Sequence, residues 1–446
     1  MDTNKVGDYL IGLLSKKRLD RFDVYVISSV SLSIEMKEGV LDCLDSSNGV
    51  GLAVRTIASG RLGFAYGTSH DKDALRELVD HAAEGMVHTS EDKYLGFPAS
   101  SGDIPALPGL YDDRINCLSQ DERIERARAL EAAALTADSR VKKVRKASYS
   151  ESRYQALVAN SSGIRYEHSG TLFSVAVMAL ASDGDDSQMG WDFGFSRNYE
   201  GLEVEGVGKT AAANAARLLH ARRIKTRKVP VLLENRVAAD FVEVLASSFQ
   251  ADRVQKGKSR LQGKLGEQLF SPLVNLVDDG LYPGGLASAP VDGEGVARQT
   301  NQVVQSGRLK MFLYDSYCAN KDGVSLTGNG VRGDFKSPPR VGLTNFYLEE
   351  GETEFNKLLS QAKEGVWITD VLGMHMVDPI SLDFSIGCSG LLITGGEVAY
   401  PVKGLAISGN LLNVFSEVQQ VGNDLRFFGS VGSPSLLIAP ITLSGE

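Results

Sequence analysis

Apolar residues recur along the chain with two periods. Residues 4–17 carry a helical stripe. From residue 22 to about 68 the pattern switches to alternation, in FDVYVISSV, SLSIEMKEGVLDCLDSS, VGLAVRTI and RLGFAYGT. Gly39, Gly49 and Gly60 punctuate these strand-like runs as turns. Helical spacing returns over 71–87, with Leu75, Leu78, Val79, Ala82 and Met86 on one face. Residues 89–111 hold three prolines and read as a linker. A helix is predicted over 120–136, then strand text from VRKASYSESRYQALVANSSGIRYEHSG to LFSVAVMALAS, then an Ala-rich helix over 207–223. LDSSNGVGLAVR and GRLGFAYG, followed by a helix, are echoed by VANSSGIRYEHSG, LFSVAVMALAS and MGWDFGFSR, again followed by a helix. The two copies read as an imperfect repeat of a hairpin-plus-helix unit, with chance similarity of two hairpins as the alternative.

The second half opens near Val229. In VLLENRVAADFVEVLASSFQ a strand, Val231–Leu233, stops at Glu234-Asn235 and a helix begins. Asn235 is placed as N-cap, and Ala238, Phe241, Val242, Leu245 and Phe249 form a stripe for a core to bury. Hairpins are predicted at QTNQVVQ-SG-RLKMFLYD and SGLLIT-GG-EVAYPVKGLAIS. A helix is predicted over 353–364, capped by Thr353 and closed by Gly365, and SLLIAPITLSG reads as the last strand. The fold class is therefore α+β, with a mainly antiparallel C-terminal half. We expect an N-terminal unit over 1–110, a central α+β unit over 111–228 and a β-rich domain over 229–446.

Length and charge narrow the function. A chain of 446 residues is enough for two or three cores. The net charge of −9 argues against a nucleic-acid or anionic-membrane surface, which needs a basic face. Cys43, Cys117, Cys318 and Cys388 are scattered, so neither a zinc knuckle nor a disulfide framework is suggested. The start, MDTNKVGDYLIGLLSKK, lacks the apolar stretch of a signal peptide, and no apolar run approaches a span of ~18 residues. A reduced, cytoplasmic protein is expected.

The candidate chemistry is sparse. Gly328 to Gly333 match G-x-G-x-x-G, but two prolines in DFKSPPR forbid the helix that a dinucleotide fingerprint must open. A backbone-rich loop that something approaches closely fits better. His81, Glu84 and His88 share a helix face, which a solvated polar face explains fully, with a metal site as the lesser alternative. His375 and Cys388, with Asp370, Asp378 and Asp383 nearby in sequence, admit a Cys–His–acid nucleophilic site, although Cys388 sits in text typical of a small buried residue. The basic run from His220 to Lys228 is placed at a helix C-terminus as a solvated joint. No G-x-S-x-G and no H-E-x-x-H occurs.

Longer segments say more. GGEVAYPVKGLAISGNLLNVFSEVQQVGNDLRF resembles the signature of the TldD/TldE (PmbA) family, once called modulators of DNA gyrase. So do FSPLVNLVDDGLYPGG, DGEGVARQTNQVVQSGRLKMFLYD, SLTGNGVRG and SLSIEMKEGVLDCLDSSNGVGLAVR. The resemblance runs through nearly the whole chain, in order. It implies sister chains forming a heterodimeric metallopeptidase that acts on unstructured peptides. It also implies that the TldD-like sister carries H-E-x-x-x-H on a helix after a strand, with a cysteine near the C-terminus as third zinc ligand. At that spacing this chain has Asn235, Arg236 and Asp240, and Val431 falls near the cysteine position. A TldE/PmbA-type subunit is therefore expected: no zinc in this chain, zinc in a TldD-like partner, and homodimerisation in isolation left open. Thr327, Gly328, Asn329, Gly330 and Arg332 are its expected cleft-lining residues, with Arg332 able to meet a peptide carboxylate. The alternatives are a self-sufficient hydrolase using His375 and Cys388, and a regulatory protein acting on a topoisomerase.

Overall fold

The computed structural model describes every residue except Met1, Arg18 and Asp20. Helix α1 (Thr3–Lys16) leads into a meander of β1 (Phe22–Lys37), β2 (Val40–Ala58) and β3 (Arg61–Gly67), followed by α2 (Lys72–Gly85). The pattern then repeats as α3 (Gln120–Ala137), β4 (Val141–Asn160), β5 (Arg165–Asp183), β6 (Asp186–Ser196) and α4 (Glu205–Ala216). Each unit is thus helix, three strands, helix, longer by one strand and one helix than the unit read from the sequence. β1 pairs antiparallel with β4 from Asp23–Asn160 to Met36–Ala147. The two units therefore share one six-stranded sheet, in the order β3-β2-β1-β4-β5-β6.

Alternation along the strands gives this sheet two different faces. Val24, Val26, Leu52 and Val54 pack under α1 and α2, while Ile34, Met36, Tyr149 and Val175 pack under α3 and α4. The opposite face carries Tyr25, Ile27, Ser152, Tyr154 and His168, and meets the C-terminal half.

That half begins with β7 (Arg227–Leu233), α5 (Asn235–Ala246) and α6 (Ala251–Gln255). It continues through β8 (Leu276–Asp279), β9 (Thr300–Gln305), β10 (Arg308–Leu309), α7 (Ser316–Asp322), β11 (Gly330–Val331), β12 (Arg340–Val341) and β13 (Asn345–Leu348). Next come α8 (Phe355–Ala362), β14 (Gly365–Leu372), β15 (Asp383–Thr394), β16 (Glu397–Asn410) and α9 (Leu411–Ser416). The chain closes with β17 (Val418–Val421), β18 (Arg426–Phe428), β19 (Val431–Ser433) and β20 (Leu436–Ser444). One sheet runs β16-β15-β14-β7-β20-β17, and bonding of β16 back to β20 at Ala406 and Ile407 closes it into a barrel. The other runs β10-β9-β8-β13-β19-β18. Pairing is antiparallel except where β14 meets β7 and β13 meets β19.

Helix α5 lies between these sheets. Phe241 packs on Phe384 of the barrel at 5.4 Å, and Phe249, just beyond the helix, on Phe346 of the second sheet at 5.7 Å. The apolar stripe is thus the centre of the larger core.

Several local readings are corrected. Glu354, not Thr353, is the N-cap of α8, because the Thr353 hydroxyl is bonded to Gln420 at 3.2 Å. Gly365 opens β14 instead of closing α8, which ends at Lys363 in a positive-φ conformation (48°). α4 stops at Ala216, so the run from His220 to Lys228 lies in a connector and the start of β7, not on a helix end. The second strand of the hairpin near 300–315 is only Arg308–Leu309, and the far end of β16 is already paired.

Candidate functional site

Glu234 occupies the N-cap of α5 with extended backbone (φ −61°, ψ 149°), so Asn235 is the first helical residue and not the cap. The Glu234 carboxylate does not cap the helix. It accepts two bonds from the Arg217 guanidinium, at 2.6 and 2.8 Å. The Asn235 amide donates to the Asp424 carbonyl at 3.2 Å. Arg236 donates to the Thr369 carbonyl at 3.1 Å and to the Asp370 carboxylate at 2.7 Å, with its guanidinium 4.7 Å from the Trp191 ring. Asp240 follows one turn later, where burial pushes its carboxyl up to about 6 against the opposing pull of Arg236.

The sheet face bearing Trp191 closes over this helix end. Trp191 stacks on Phe193 at 5.9 Å, and Phe193 meets Phe428 edge-on at 6.2 Å. Arg426 donates to Asp192 at 2.7 Å and to the Phe193 carbonyl at 2.8 Å, joining β18 to β6. Val431 is buried in β19, paired with Phe346 and Phe428, and β19 packs against α5. Asn235, Arg236, Asp240 and Val431 therefore belong to one region, although nearly 200 residues separate the helix from the strand. Their donors do not fit zinc. Arg236 is a cation, the Asn235 amide nitrogen is committed as a donor, Val431 has no donor atom, and the Asp240 carboxyl alone does not make a ligand set. Among the described residues no group of three or more His, Cys, Asp or Glu is placed to hold a metal ion.

The glycine-rich loop is knitted into the core. Thr327 and Asn329 are buried, and Asn329 donates to Asp278 at 2.8 Å and to the Gly342 carbonyl at 2.9 Å. Gly328 has φ 70°, and a Cβ there would lie 2.7 Å from the Ala297 carbonyl oxygen. The Gly330 amide donates to Asp292 at 2.8 Å. Arg332, its side chain 3% exposed, donates to the Gly293 carbonyl and to Asp23, both at 2.8 Å. No helix follows the loop; residues 330–331 form β11.

Val331 and Arg332 do line a cavity of about 350 Å³ between the halves, with Tyr25, Tyr154, His168, Arg197, Asp292 and Arg298 among its other walls. A neighbouring groove on the same sheet face is floored by Ser31, Ser33, Ser150 and Ser174, and shares Ser152 and Leu172 with the cavity. Burial, with Arg298 and Arg197 beside it, lowers His168 to about 4. Sequence reasoning missed His168, Arg197 and Arg298. Only their alternation within or next to strands was visible, and nothing in it marks a shared cavity.

The remaining candidates have local roles. Cys388 is buried in β15, where burial pushes its thiol up to about 12. Asp370 pairs with Arg236, Asp378 accepts from the Ile380 and Ser381 amides, and Asp383 accepts from Asn410. His375 lies in a single turn, Met374–Met376. No helix among the described residues is long and apolar enough to cross a membrane.

Comparison with known proteins supplies the context. Residues 22–85, 113–219 and 226–445 match PmbA/TldA metallopeptidase domain 1, central domain and C-terminal domain, respectively. The chain is 30% identical to an uncharacterized protein of Methanocaldococcus jannaschii, over 93% of this chain and 94% of that one. It is 25% identical to metalloprotease PmbA of Escherichia coli O157:H7, over 97% and 94% of the two chains. Its fold matches the crystal structure of TldE from Thermococcus kodakarensis with a TM-score of 0.91 at 22% identity, over 98% of this chain and 100% of that one. A Thermotoga maritima structure carrying the modulator-of-DNA-gyrase name matches at 0.90 and 28% identity, over 99% and 100%. The chain belongs to the PmbA/TldD metallopeptidase family.

Proposed function

We propose that this chain is the subunit without metal in a two-chain, cytoplasmic zinc metallopeptidase, where it completes a cleft for unstructured peptides with a TldD-like partner. The observation that carries this reading is the ion pair of Arg236 with Asp370 at 2.7 Å, at the helix position where the family resemblance places metal-site residues. A fixed cation there disfavours a second cation by charge repulsion, and it leaves the helix as a wall element. A wall that orients an extended peptide contributes to rate without touching the metal. The partner's zinc would supply the activated water.

The test mixes this chain with a TldD-like chain of the same organism and measures cleavage of an unstructured peptide, with and without chelator. The mixture is expected to be active and chelator-sensitive, this chain alone inactive, and the TldD-like chain alone weak. Elemental analysis of the purified chain is expected to find no stoichiometric zinc. No gain on mixing, with no complex on size exclusion, would sink the reading. Chelator-insensitive cleavage by this chain alone would favour His375 and Cys388.

A further inference from the structure

The cavity between the halves is walled by buried guanidiniums whose N–H groups are not all partnered. Arg197, 4% exposed, donates only to carbonyls: Gly285 at 3.3 and 3.2 Å, Leu286 at 2.6 Å and Thr171 at 3.1 Å. Arg298 donates through Nη1 to the Ala287 carbonyl, and its Nε is buried without a partner. Among the described residues neither guanidinium has a carboxylate within ion-pair distance. Arg332 is paired with Asp23, but its Nη1 is also buried without a partner, as is His168 Nδ1. Asp292 is the acidic side chain lining the cavity, and it already accepts from the Gly330, Glu294 and Val296 amides.

Buried cations without counter-ions are costly, and unpaired buried N–H groups add to the cost. Burial holds the Arg298 guanidinium below its usual value; the Asp292 and Asp278 carboxylates oppose this from beyond ion-pair distance, and the like charge of Arg197 adds to it. An anion beside Arg298 would relieve both. The rest of the lining is largely apolar, with Ile27, Val158, Leu172, Leu286, Val291 and Val331. A volume of about 350 Å³ takes a ligand the size of one amino-acid residue with its cap. The serine groove, which Asp45 also lines, adjoins this space at Ser152 and Leu172.

We propose that this cavity binds a carboxylate carried on a small apolar group, with Arg298 and Arg332 as its ionic partners and His168 as a further hydrogen-bonding group. The ligand is either a free carboxylic acid or the C-terminal residue of a peptide lying along the serine groove. The site belongs to this chain alone and does not rest on the two-chain reading.

Calorimetric titration of the full chain tests it, with N-acetyl-leucine, N-acetyl-leucinamide, an unstructured pentapeptide ending in leucine in acid and amide forms, and inorganic phosphate. Both acids are expected to bind, and each amide about ten- to hundred-fold more weakly, the range for losing a hydrogen-bonded charge. Tighter binding of the peptide acid than of N-acetyl-leucine assigns the source as a peptide C-terminus, and equal binding assigns it as a free acid; either supports the site. Arg298→Met is expected to abolish the acid preference with the circular dichroism spectrum unchanged. If that variant does not fold, the acid–amide comparison on the unaltered chain decides. Equal binding of acid and amide, phosphate binding as well as the acids, or no saturable heat at millimolar acid would each overturn the proposal. The peptidase mixing experiment is independent, so failure here leaves that reading standing.

Discussion

Arg236 and Asp240 sit one helical turn apart, and between them they define the electrostatics of the α5 terminus. Burial pushes the Asp240 carboxyl up to about 6, because it penalises the charged form more than Arg236 favours it. A carboxyl raised in the folded state adds stability at low pH that is lost as pH rises through the folded value. Native stability is therefore expected to fall between pH 3.8 and about 6 on account of this group. Asp240→Asn should remove that slope and leave the variant about 1–2 kcal/mol more stable than the parent at neutral pH, after discounting for partial exposure. Urea denaturation at acidic and neutral pH reads the difference; an unchanged slope would show that Asp240 ionises normally. Arg236→Ala should cost about 1–3 kcal/mol, since it strips a charged hydrogen bond from Asp370 and another from the Thr369 carbonyl.

At the scale of elements, close approach fixes how helices sit on the first sheet. Gly190 of β6 lies against α4: a Cβ there would be 2.1 Å from the Ala215 nitrogen and 2.5 Å from the Ala211 carbonyl oxygen. Both atoms are backbone, so no side chain can turn aside. Gly190→Ala is expected to push α4 off the sheet at a cost of about 1–3 kcal/mol or more. A melting temperature equal to that of the parent would contradict this packing. Helix α5 needs no such gap, because it is surrounded by side chains from both C-terminal sheets. Its stripe was readable from the spacing of Phe241, Val242 and Leu245. That it lies between a barrel and a second sheet was not, because the strands enclosing it come from up to 200 residues further along the chain.

At the scale of the molecule, buried charge ties the halves together. Asp23 of β1 accepts from Arg55 of β2 at 2.9 and 2.7 Å and from Arg332 of the C-terminal half at 2.8 Å, and Arg55 also reaches Glu294 at 3.3 Å. Burial pushes the Asp23 carboxyl up, but the Arg55 and Arg332 guanidiniums outweigh it and hold it below its usual value. Such a depressed carboxyl contributes stability above its unfolded value that is lost as pH falls through the folded one. The joint is therefore expected to weaken below about pH 3.8. Asp23→Asn should cost about 3–5 kcal/mol at neutral pH, since it leaves two buried guanidiniums short of a counter-ion. Scanning calorimetry should show the loss in one or both halves, and a variant as stable as the parent would mean that the ion network does not couple them.

The sequence by itself determined the α+β class, the periods of nearly every long element, and the absence of zinc-type donors at Asn235, Arg236 and Val431. These properties are local: period follows from backbone geometry, and a ligand set is a matter of side-chain identity. It misjudged caps where a side chain had a better distant partner, as with Thr353 and Gln420. It read the loop from Thr327 to Arg332 as one that a peptide or another strand approaches closely, because glycine frees the backbone. The fold uses that freedom to bring the loop against Ala297 and Gly293, burying Asn329 and the Arg332 side chain. Closure of the barrel through β16 and β20 was equally out of reach, since register between distant strands is set by packing. So was the meeting of His168, Arg197, Arg298 and Arg332 around one cavity. Four residues from strands and loops as far as 164 positions apart acquire a common electrostatic environment only once two halves of the chain are pressed together.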